Sequence, residues 1–320
     1  MTRLSRSSKK SRTAEKGVHN AGNKDKQRNN ELREGKVTDN INAVIGEGSI
    51  FGLIGSNGSG KSTLLRTMCG IIKPASGEIL VGGEPVFENE NVRQKIVYLP
   101  DEQYFLPHCS INDMKDTLRA VRTSFSDKTF AKMRDIFKLD CDKKVASFSK
   151  GMKKQASVML GIASTPSCLL CDETFDGLDP VVRQLVKRIL AEESAERGMT
   201  TVIASHNLRE IEDICDTVGL LHKGQLLFVK GLDDMKLGLH KIQAVFSGDF
   251  DVARLSPLKI SGYERRGSLV SFIAHGEADE INAFVAALSP AFYEMVPMSL
   301  EEIFITEMEE KGYEFGKLVY

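Results

Sequence analysis

The chain has 320 residues, of which 41% are hydrophobic and 27% charged, which suits one large globular domain and one smaller one. Lys and Arg number 43 against 44 Asp and Glu, so the bulk charge gives no reason to expect a nucleic-acid partner. No apolar run approaches the roughly 18 residues of a membrane span, and no apolar run follows the basic N-terminus as in a secretory signal. Six cysteines are too sparse for a disulfide scaffold. We therefore do not expect a membrane-spanning, secreted or fibrous protein.

Residues 1–36 differ from the rest of the chain in charge and in apolar content. They carry 11 basic and 4 acidic side chains, six apolar residues and no Phe, Tyr or Trp. Such a segment cannot bury enough apolar surface to offset the entropy lost on ordering. We therefore predict a basic, disordered tail, and charged tails of this kind are usually solvated.

The first predicted elements are typical of a strand, a turn and a helix. Residues 50–54 form an apolar run that stops at a glycine-rich turn, which indicates a strand buried on both faces. Residues 62–69 then read as a helix, and residues 77–87 as a hairpin that turns at Gly82 and Gly83.

The middle of the chain continues as alternating helices and strands. Residues 104–165 are helix-rich, as the spacing of Ile111, Met114 and Leu118 indicates. The elements that follow are a strand at 168–171, a helix from residue 181, a strand at 200–204 and a hairpin at 218–229. This order predicts an α/β core with a parallel sheet. From residue 239 to residue 320 we predict a small α+β appendage, with strands at 242–246 and 269–273, a helix at 278–288 and an amphipathic segment at 300–308.

The turn after the first apolar strand matches the G-x-x-x-x-G-K-S/T pattern of a phosphate-binding loop. Its residues are Gly55, Ser56, Asn57, Gly58, Ser59, Gly60, Lys61 and Ser62. Glycines allow backbone N–H groups to wrap around phosphate oxygens, and the following helix adds its positive end. Lys61 would reach the β- and γ-phosphates and Ser62 would ligate Mg²⁺. The alternative, a chance match in a glycine-rich turn, is opposed by the strand and helix on either side.

A second strand ends in the acidic pair Asp172 and Glu173. We predict that Asp172 holds Mg²⁺ and that Glu173 orients or deprotonates the attacking water. By itself a solvated acidic turn would explain the pair equally well, but its combination with the phosphate loop favours a catalytic role. Cys168 and Cys171 form a C-x-x-C pattern, yet residues three apart on a strand face opposite ways. We therefore predict that both cysteines pack in the core and bind no metal.

Further motifs follow in a fixed order: Phe148, Ser149, Lys150, Gly151 and Met152, then Asp172 and Glu173, then Gly177, Leu178 and Asp179, and last His206 after an apolar strand. With this series, residues 37–238 resemble the ATP-binding subunit of an ABC (ATP-binding cassette) transporter. The S-K-G-M-K-K-Q form of the middle motif is similar to the drug, bacteriocin and antibiotic-export class.

The resemblance implies a P-loop NTPase core with a parallel sheet, an antiparallel β subdomain and a helical subdomain at about 104–165. It also implies that ATP, with Mg²⁺, binds the phosphate loop and the adjacent Thr63. Glu173, His206 and Lys61 would carry out hydrolysis. Ser149, Gly151 and Asp179 would act across a dimer seam, because one loop and one signature cannot complete a site within the same chain. Ser149 can cap the helix that presents N–H groups to the partner's γ-phosphate.

Two positions depart from the family pattern. The glutamine that joins the metal site to the helical subdomain is replaced, because Tyr98, Leu99 and Pro100 are followed by Asp101, with Gln103 as the nearest glutamine. Either Asp101 or Gln103 would serve as the oxygen donor to the metal. Residues 1–40 also lack the initial apolar strand and the aromatic residue that stacks on adenine, His19 being the only ring. We therefore predict weak base selectivity.

The resemblance also implies partners and a location. A second ATPase subunit and a separate integral membrane permease are expected, with this chain peripheral at the cytoplasmic face of the cell membrane and the helical subdomain as docking surface. The alternatives are a soluble ABC ATPase that acts on ribosomes or DNA, and a regulatory nucleotide-binding module. The first usually carries two cassettes or long coiled-coil insertions, and the second is opposed by the presence of Glu173 and His206.

Overall fold

The chain is seen in a computed structural model, which describes residues 2–5, 41–247 and 250–310. Its central sheet contains, in spatial order, β10 (Gln225–Gly231), β9 (Thr217–His222), β3 (Ile50–Ile54), β8 (Thr200–Ser205), β7 (Cys168–Asp172) and β6 (Ile96–Leu99). All neighbours are parallel except β10, which lies antiparallel at one edge. The predicted parallel sheet is confirmed, and β3, β7 and β8 are buried along their whole length, as expected for strands covered on both faces.

The register of these strands decides where the functional segments meet. Ile54 pairs with Ser205, and Asp172 pairs with Ala204. Because β3, β8 and β7 are parallel neighbours, their carboxyl ends share one edge of the sheet. The phosphate loop, His206 and Glu173 each follow one of these ends, so the topology brings them together.

Cys168 and Cys171 lie on β7, both buried and on opposite faces of the sheet. Cys168 belongs to the apolar cluster that includes Leu65 on one face, whereas Cys171 belongs to the cluster that includes Ile203 on the other. Burial raises the pKa of each thiol to about 12, so both stay protonated at neutral pH. The prediction of core packing is confirmed.

The antiparallel β subdomain contains, in order, β2 (Val44–Ile45), β1 (Thr2–Ser5), β4 (Glu78–Val81) and β5 (Glu84–Pro85). Disorder was predicted for residues 2–5, and no initial strand was expected; both predictions are wrong for these four residues. β1 pairs with β2 on one side and with β4 on the other, so distant strands satisfy its backbone groups without an apolar run. The rest of the predicted tail, including His19, lies outside the described residues.

The helices of the cassette are α1 (Lys61–Met68), α2 (Glu90–Gln94), α3 (Ile111–Val121), α4 (Asp127–Phe137), α5 (Lys150–Ala163), α6 (Pro180–Arg197), α7 (Leu208–Glu212) and α8 (Leu232–Leu237). The predicted helix-rich region corresponds to α3, α4 and α5, with α3 and α4 both packed on α5. Met133 and Phe130 of α4 belong to the same apolar core as Met159 of α5. None of the helices in the described part of the chain combines the length and the apolar character needed to cross a membrane.

The C-terminal region forms a third sheet in the order β12 (Ile260–Arg266), β13 (Leu269–His275), β11 (Leu239–Val245) and β14 (Phe292–Val296). All pairs are antiparallel, and α9 (Ala278–Ala287) shares the sheet's own apolar core. This is the strand order of a split βαβ fold, with a 3-10 turn at Val252–Leu255 where the first helix would stand. The α+β appendage is confirmed, and the structure adds β12 and β14.

The last helix of the described residues, α10 (Leu300–Glu310), leaves this appendage and returns to the cassette. It packs against α7 and α8, and Leu300 and Ile303 are fully buried in the cassette's core. The expectation that residues 300–308 complete the appendage is therefore wrong. An amphipathic pattern shows that one face of a helix is buried, but it carries no information on the surface that buries it.

Candidate nucleotide-binding site

The loop between β3 and α1 has the geometry of an anion site. Gly58 and Gly60 have φ angles of 79° and 105°, in the left-handed region that favours glycine. The Ser59 N–H donates to the Ser56 carbonyl at 3.1 Å, which closes a tight turn. Gly60 provides no side chain to cap α1. The N–H groups of the first turn of α1 are thus left for an anion, next to the positive end of the helix.

Gly55 opens the loop at a position where a side chain has no room. A Cβ there would lie 2.4 Å from the Leu221 carbonyl oxygen and 2.4 Å from Ser59 Oγ. We expect Gly55→Ala to displace the loop, to destabilise the fold by about 1–3 kcal/mol, and to weaken ATP binding. Thermal unfolding and fluorescent-nucleotide titration would measure both effects.

Gly46→Ala is the matched control for this substitution. The nearest atom to its added Cβ would be Ser49 Oγ, at an ordinary contact distance of 3.5 Å. We expect this variant to melt close to the wild-type temperature and to bind nucleotide normally. Indistinguishable melting and binding for the two alanine variants would contradict the proposed steric role of Gly55.

Lys61, the first residue of α1, is buried between the loop and the acidic pair. Its Nζ donates to the Gly55 carbonyl at 2.7 Å and to the Ser56 carbonyl at 3.3 Å, and lies 3.3 Å from Glu173 Oε1. The ammonium is therefore held at the phosphate loop by its own backbone. Ser62 and Thr63, which follow on α1, are half-buried.

Glu173 is the centre of the contacts around the loop. Its Oε2 lies 2.9 Å from His206 Nδ1, its Oε1 faces Lys61, and its N–H donates to the Ala204 carbonyl at 2.9 Å. Its φ of 46° is left-handed, a conformation that costs a non-glycine residue about 1–3 kcal/mol and needs support from its surroundings. The structure thus brings two of the predicted catalytic residues, Lys61 and His206, into direct contact with the third, Glu173.

Asp172 is 1% exposed, and its two carboxylate oxygens have different surroundings. Oδ2 accepts a hydrogen bond from Tyr98 Oη at 2.9 Å, whereas Oδ1 is buried without a hydrogen-bond partner. Burial raises the pKa of Tyr98 to about 12, so its hydroxyl remains a donor. A buried carboxylate oxygen without a partner is unfavourable unless a cation or donor meets it.

The oxygen atoms of Asp172 and Ser62 are the ligands that Mg²⁺ prefers. This ion usually binds one or two protein ligands and completes its shell with phosphates and water. Within the described residues no group of three or more His, Cys, Asp or Glu side chains could hold a metal by itself. A sparse site completed by nucleotide phosphates therefore fits the residues present.

The two alternative donors from the loop after β6 have other partners. Asp101 Oδ1 accepts from Lys154 Nζ at 3.0 Å, and Gln103 Nε2 donates to the Pro100 carbonyl. Neither contact tests a role in metal binding, which stays a prediction for both residues.

The remaining predicted residues lie at helix starts. Ser149 caps α5, as predicted, because its Oγ accepts from the Met152 N–H at 3.2 Å. At Gly151 an added Cβ would lie 3.0 Å from the Gly177 carbonyl oxygen, so α5 approaches the segment after Glu173 closely. Asp179 caps α6 by accepting from two backbone N–H groups at 3.0 and 3.1 Å.

Two residues in contact with the site had no predicted role. Tyr98 holds Asp172, and Lys154 contacts both Asp101 and the Glu173 backbone carbonyl. The only sequence signal for the role of Tyr98 was its position at the end of a strand next to the acidic strand. Lys154 gave none, because lysines on helices are usually exposed.

Comparison with known proteins identifies the family. The ABC transporter family matches residues 38–176. The ABC transporter ATP-binding protein YtrB of Bacillus subtilis is 34% identical over 277 residues, which cover 86% of this chain and 94% of YtrB. The chain belongs to the ATP-binding proteins of ABC transporters. It is therefore an ATP-binding and ATP-hydrolysing subunit that powers transport, as the resemblance implied.

Other ABC proteins are similar over the cassette. The bacitracin transport ATP-binding protein BcrA of Bacillus licheniformis is 31% identical over 63% of this chain and 66% of its own length. Among solved structures, an ATP-binding subunit of an ABC transporter has a TM-score of 0.58 and 26% identity, over 62% of this chain and 85% of that one. The structure of cbiO1 from Clostridium perfringens, part of the transporter complex cbiONQ, has a TM-score of 0.53 and 25% identity, over 62% and 83%.

Proposed function

We propose that two ATPase subunits, this chain and a second copy or a similar chain, bind ATP with Mg²⁺ at the cytoplasmic face of the membrane and drive export through a separate integral membrane permease. The contact of Glu173 with Lys61 and His206 beside the phosphate loop carries this proposal. Export is supported by the similarity to BcrA, whose name records bacitracin transport, and a separate permease by the similarity to cbiO1, part of a transporter complex.

The proposed reaction is an in-line attack of water on the γ-phosphorus. A bond forms between the water oxygen and phosphorus, the bond from phosphorus to the ADP oxygen breaks, and Glu173 takes the water proton. Lys61 neutralises charge on the phosphate oxygens, and His206 holds the Glu173 carboxylate. When bound by Ser62 and Asp172, Mg²⁺ would supply further charge neutralisation.

Dimerisation is part of the proposed cycle. The N-terminus of α5, capped by Ser149 and closely packed at Gly151, would present N–H groups to the γ-phosphate bound by the partner, with Asp179 at the seam. ATP binding would close the dimer and hydrolysis would reopen it, since these contacts depend on the γ-phosphate.

Base selectivity is expected to be weak. The described residues include β1, but the aromatic side chain that stacks on adenine in the family is absent from residues 1–40. We expect similar affinities for ATP and GTP, since phosphate contacts would supply most of the binding. Competition titrations with a fluorescent nucleotide would measure this, and a strong preference for ATP would contradict it.

The permease can be sought directly with tagged Glu173→Gln protein. Membranes solubilised in mild detergent with ATP and Mg²⁺ would be passed over an affinity resin, and copurifying proteins identified by mass spectrometry. Glu196→Gln, a substitution of the same type at an exposed position of α6, is the control. A polytopic membrane protein enriched with Glu173→Gln supports the proposal. Ribosomes or DNA without a membrane protein would contradict it.

A further inference from the structure

Lys154 is a buried lysine whose contacts lead to the catalytic carboxylate. It lies in the second turn of α5 and is 1% exposed. Its Nζ donates to Asp101 Oδ1 at 3.0 Å and to the backbone carbonyl of Glu173. A buried ammonium without a partner is strongly unfavourable, so these two acceptors determine where it can lie.

The contact with the Glu173 carbonyl supports a strained residue. Glu173 has a φ of 46°, and its carboxylate must keep its place against Lys61 and His206. Ala204 holds the peptide N–H on one side of the residue, and Lys154 holds the carbonyl on the other. The two contacts together fix the backbone from which the carboxylate projects.

Asp101 connects the contact between Lys154 and Glu173 to the protein surface. Its side chain is 49% exposed, whereas that of Lys154 is fully buried. Asp101 is the second residue of the loop after β6, and Tyr104 in the same loop is 75% exposed. Movement of this loop would withdraw the counter-ion of a buried ammonium, so the position of the loop and the support of Glu173 are energetically linked.

We propose that Lys154 is a positioning residue for ATP hydrolysis and that Asp101 acts through it, as counter-ion, rather than on the metal. Lys154 stabilises the left-handed backbone conformation of Glu173. The loop after β6 controls this contact because it carries Asp101, the counter-ion of Lys154. The inference rests on the proposed role of Glu173 in activating water.

Lys154→Met removes the ammonium and keeps a side chain of similar length. We expect kcat to fall about 10- to 100-fold, because small displacements of a catalytic group have effects of this size, while KM for ATP and fluorescent-nucleotide affinity stay near wild type. Lys154→Gln, which can still donate a hydrogen bond, should recover part of kcat. Unchanged kcat in both variants would overturn the proposal.

Lys187→Met is the matched control. Lys187 is also a buried lysine paired with a half-exposed aspartate, 2.8 Å from Asp213 Oδ2, and its Nζ lies over the ring of Phe175 at 5.7 Å rather than at Glu173. A merely structural role for buried lysines would lower kcat equally in the two methionine variants. We expect Lys187→Met to change thermal stability but to keep kcat near wild type.

A double-mutant cycle tests the part played by Asp101. Asp101→Asn should lower kcat, and adding it to Lys154→Met should lower kcat no further, because Asp101 acts only through the ammonium. Additive losses would overturn that step and return Asp101 to the metal site. If the wild-type dimer itself showed no ATP turnover, the role of Glu173 would fail, and this inference would fail with it.

Discussion

Glu173→Gln is expected to lower kcat for ATP hydrolysis about 100- to 10,000-fold, the range associated with loss of a general base. The amide cannot take the proton of the attacking water, although it can still hydrogen-bond to His206 in place of the carboxylate oxygen at 2.9 Å. ATP binding should persist and the closed dimer should accumulate. Phosphate release would measure turnover, and light scattering with and without ATP would measure the dimer.

The matched control for this variant is Glu196→Gln, which makes the same change on the exposed face of α6. Its turnover and its ATP-dependent mass should equal those of the wild type. Normal turnover by Glu173→Gln would refute the role of the carboxylate. Loss of turnover together with loss of ATP binding would indicate damage to the loop instead, because Glu173 contacts Lys61.

Lys61→Met is expected to weaken ATP binding about 10- to 100-fold, as loss of one hydrogen bond to a charged group costs about 1.5–3 kcal/mol. The ammonium lies at the phosphate loop, 2.7 Å from the Gly55 carbonyl oxygen and 3.3 Å from Glu173 Oε1. Hydrolysis should fall further than binding, since in the proposed mechanism Lys61 also neutralises charge in the transition state. Fluorescent-nucleotide titration and phosphate release would separate the two effects.

Lys73→Met is the control for the loss of a positive charge near the same helix. Lys73 is exposed after the end of α1, with its Nζ over the ring of Phe87 at 5.3 Å. The Lys73→Met variant should bind and hydrolyse ATP like the wild type. Wild-type affinity in Lys61→Met would contradict the assignment of the loop as the phosphate site.

The parts of the site that could be predicted depend on neighbours in the chain. A glycine-rich turn between an apolar strand and a helix, and an apolar strand that ends in Asp172 and Glu173, are local patterns whose backbone geometry limits the outcome. Ser149 as a helix cap is of the same kind, because it precedes its helix directly. The family resemblance added His206, which no local pattern distinguishes from a structural histidine.

The parts that could not be predicted depend on pairing over long distances. Residues 2–5 have no apolar run, and they form β1 only because β2 and β4 offer unpaired edges on both sides. In the same way, α10 shows an apolar face but not its destination, which is the cassette rather than the appendage. The burial of Lys154 is the clearest case, because a lysine at a helical position is expected in solvent.

The sequence by itself determined the family, the phosphate loop, the acidic pair and the alternation of elements that leads to a parallel sheet. These follow from short-range order: which residue types stand next to one another and at what spacing. Only the tertiary structure decided which atoms meet. Strand register placed Glu173 against Lys61 and His206, burial left one oxygen of Asp172 without a hydrogen-bond partner, and packing of α5 brought Lys154 to the Glu173 carbonyl. Contacts of this kind join residues far apart in the chain, and no local pattern records them.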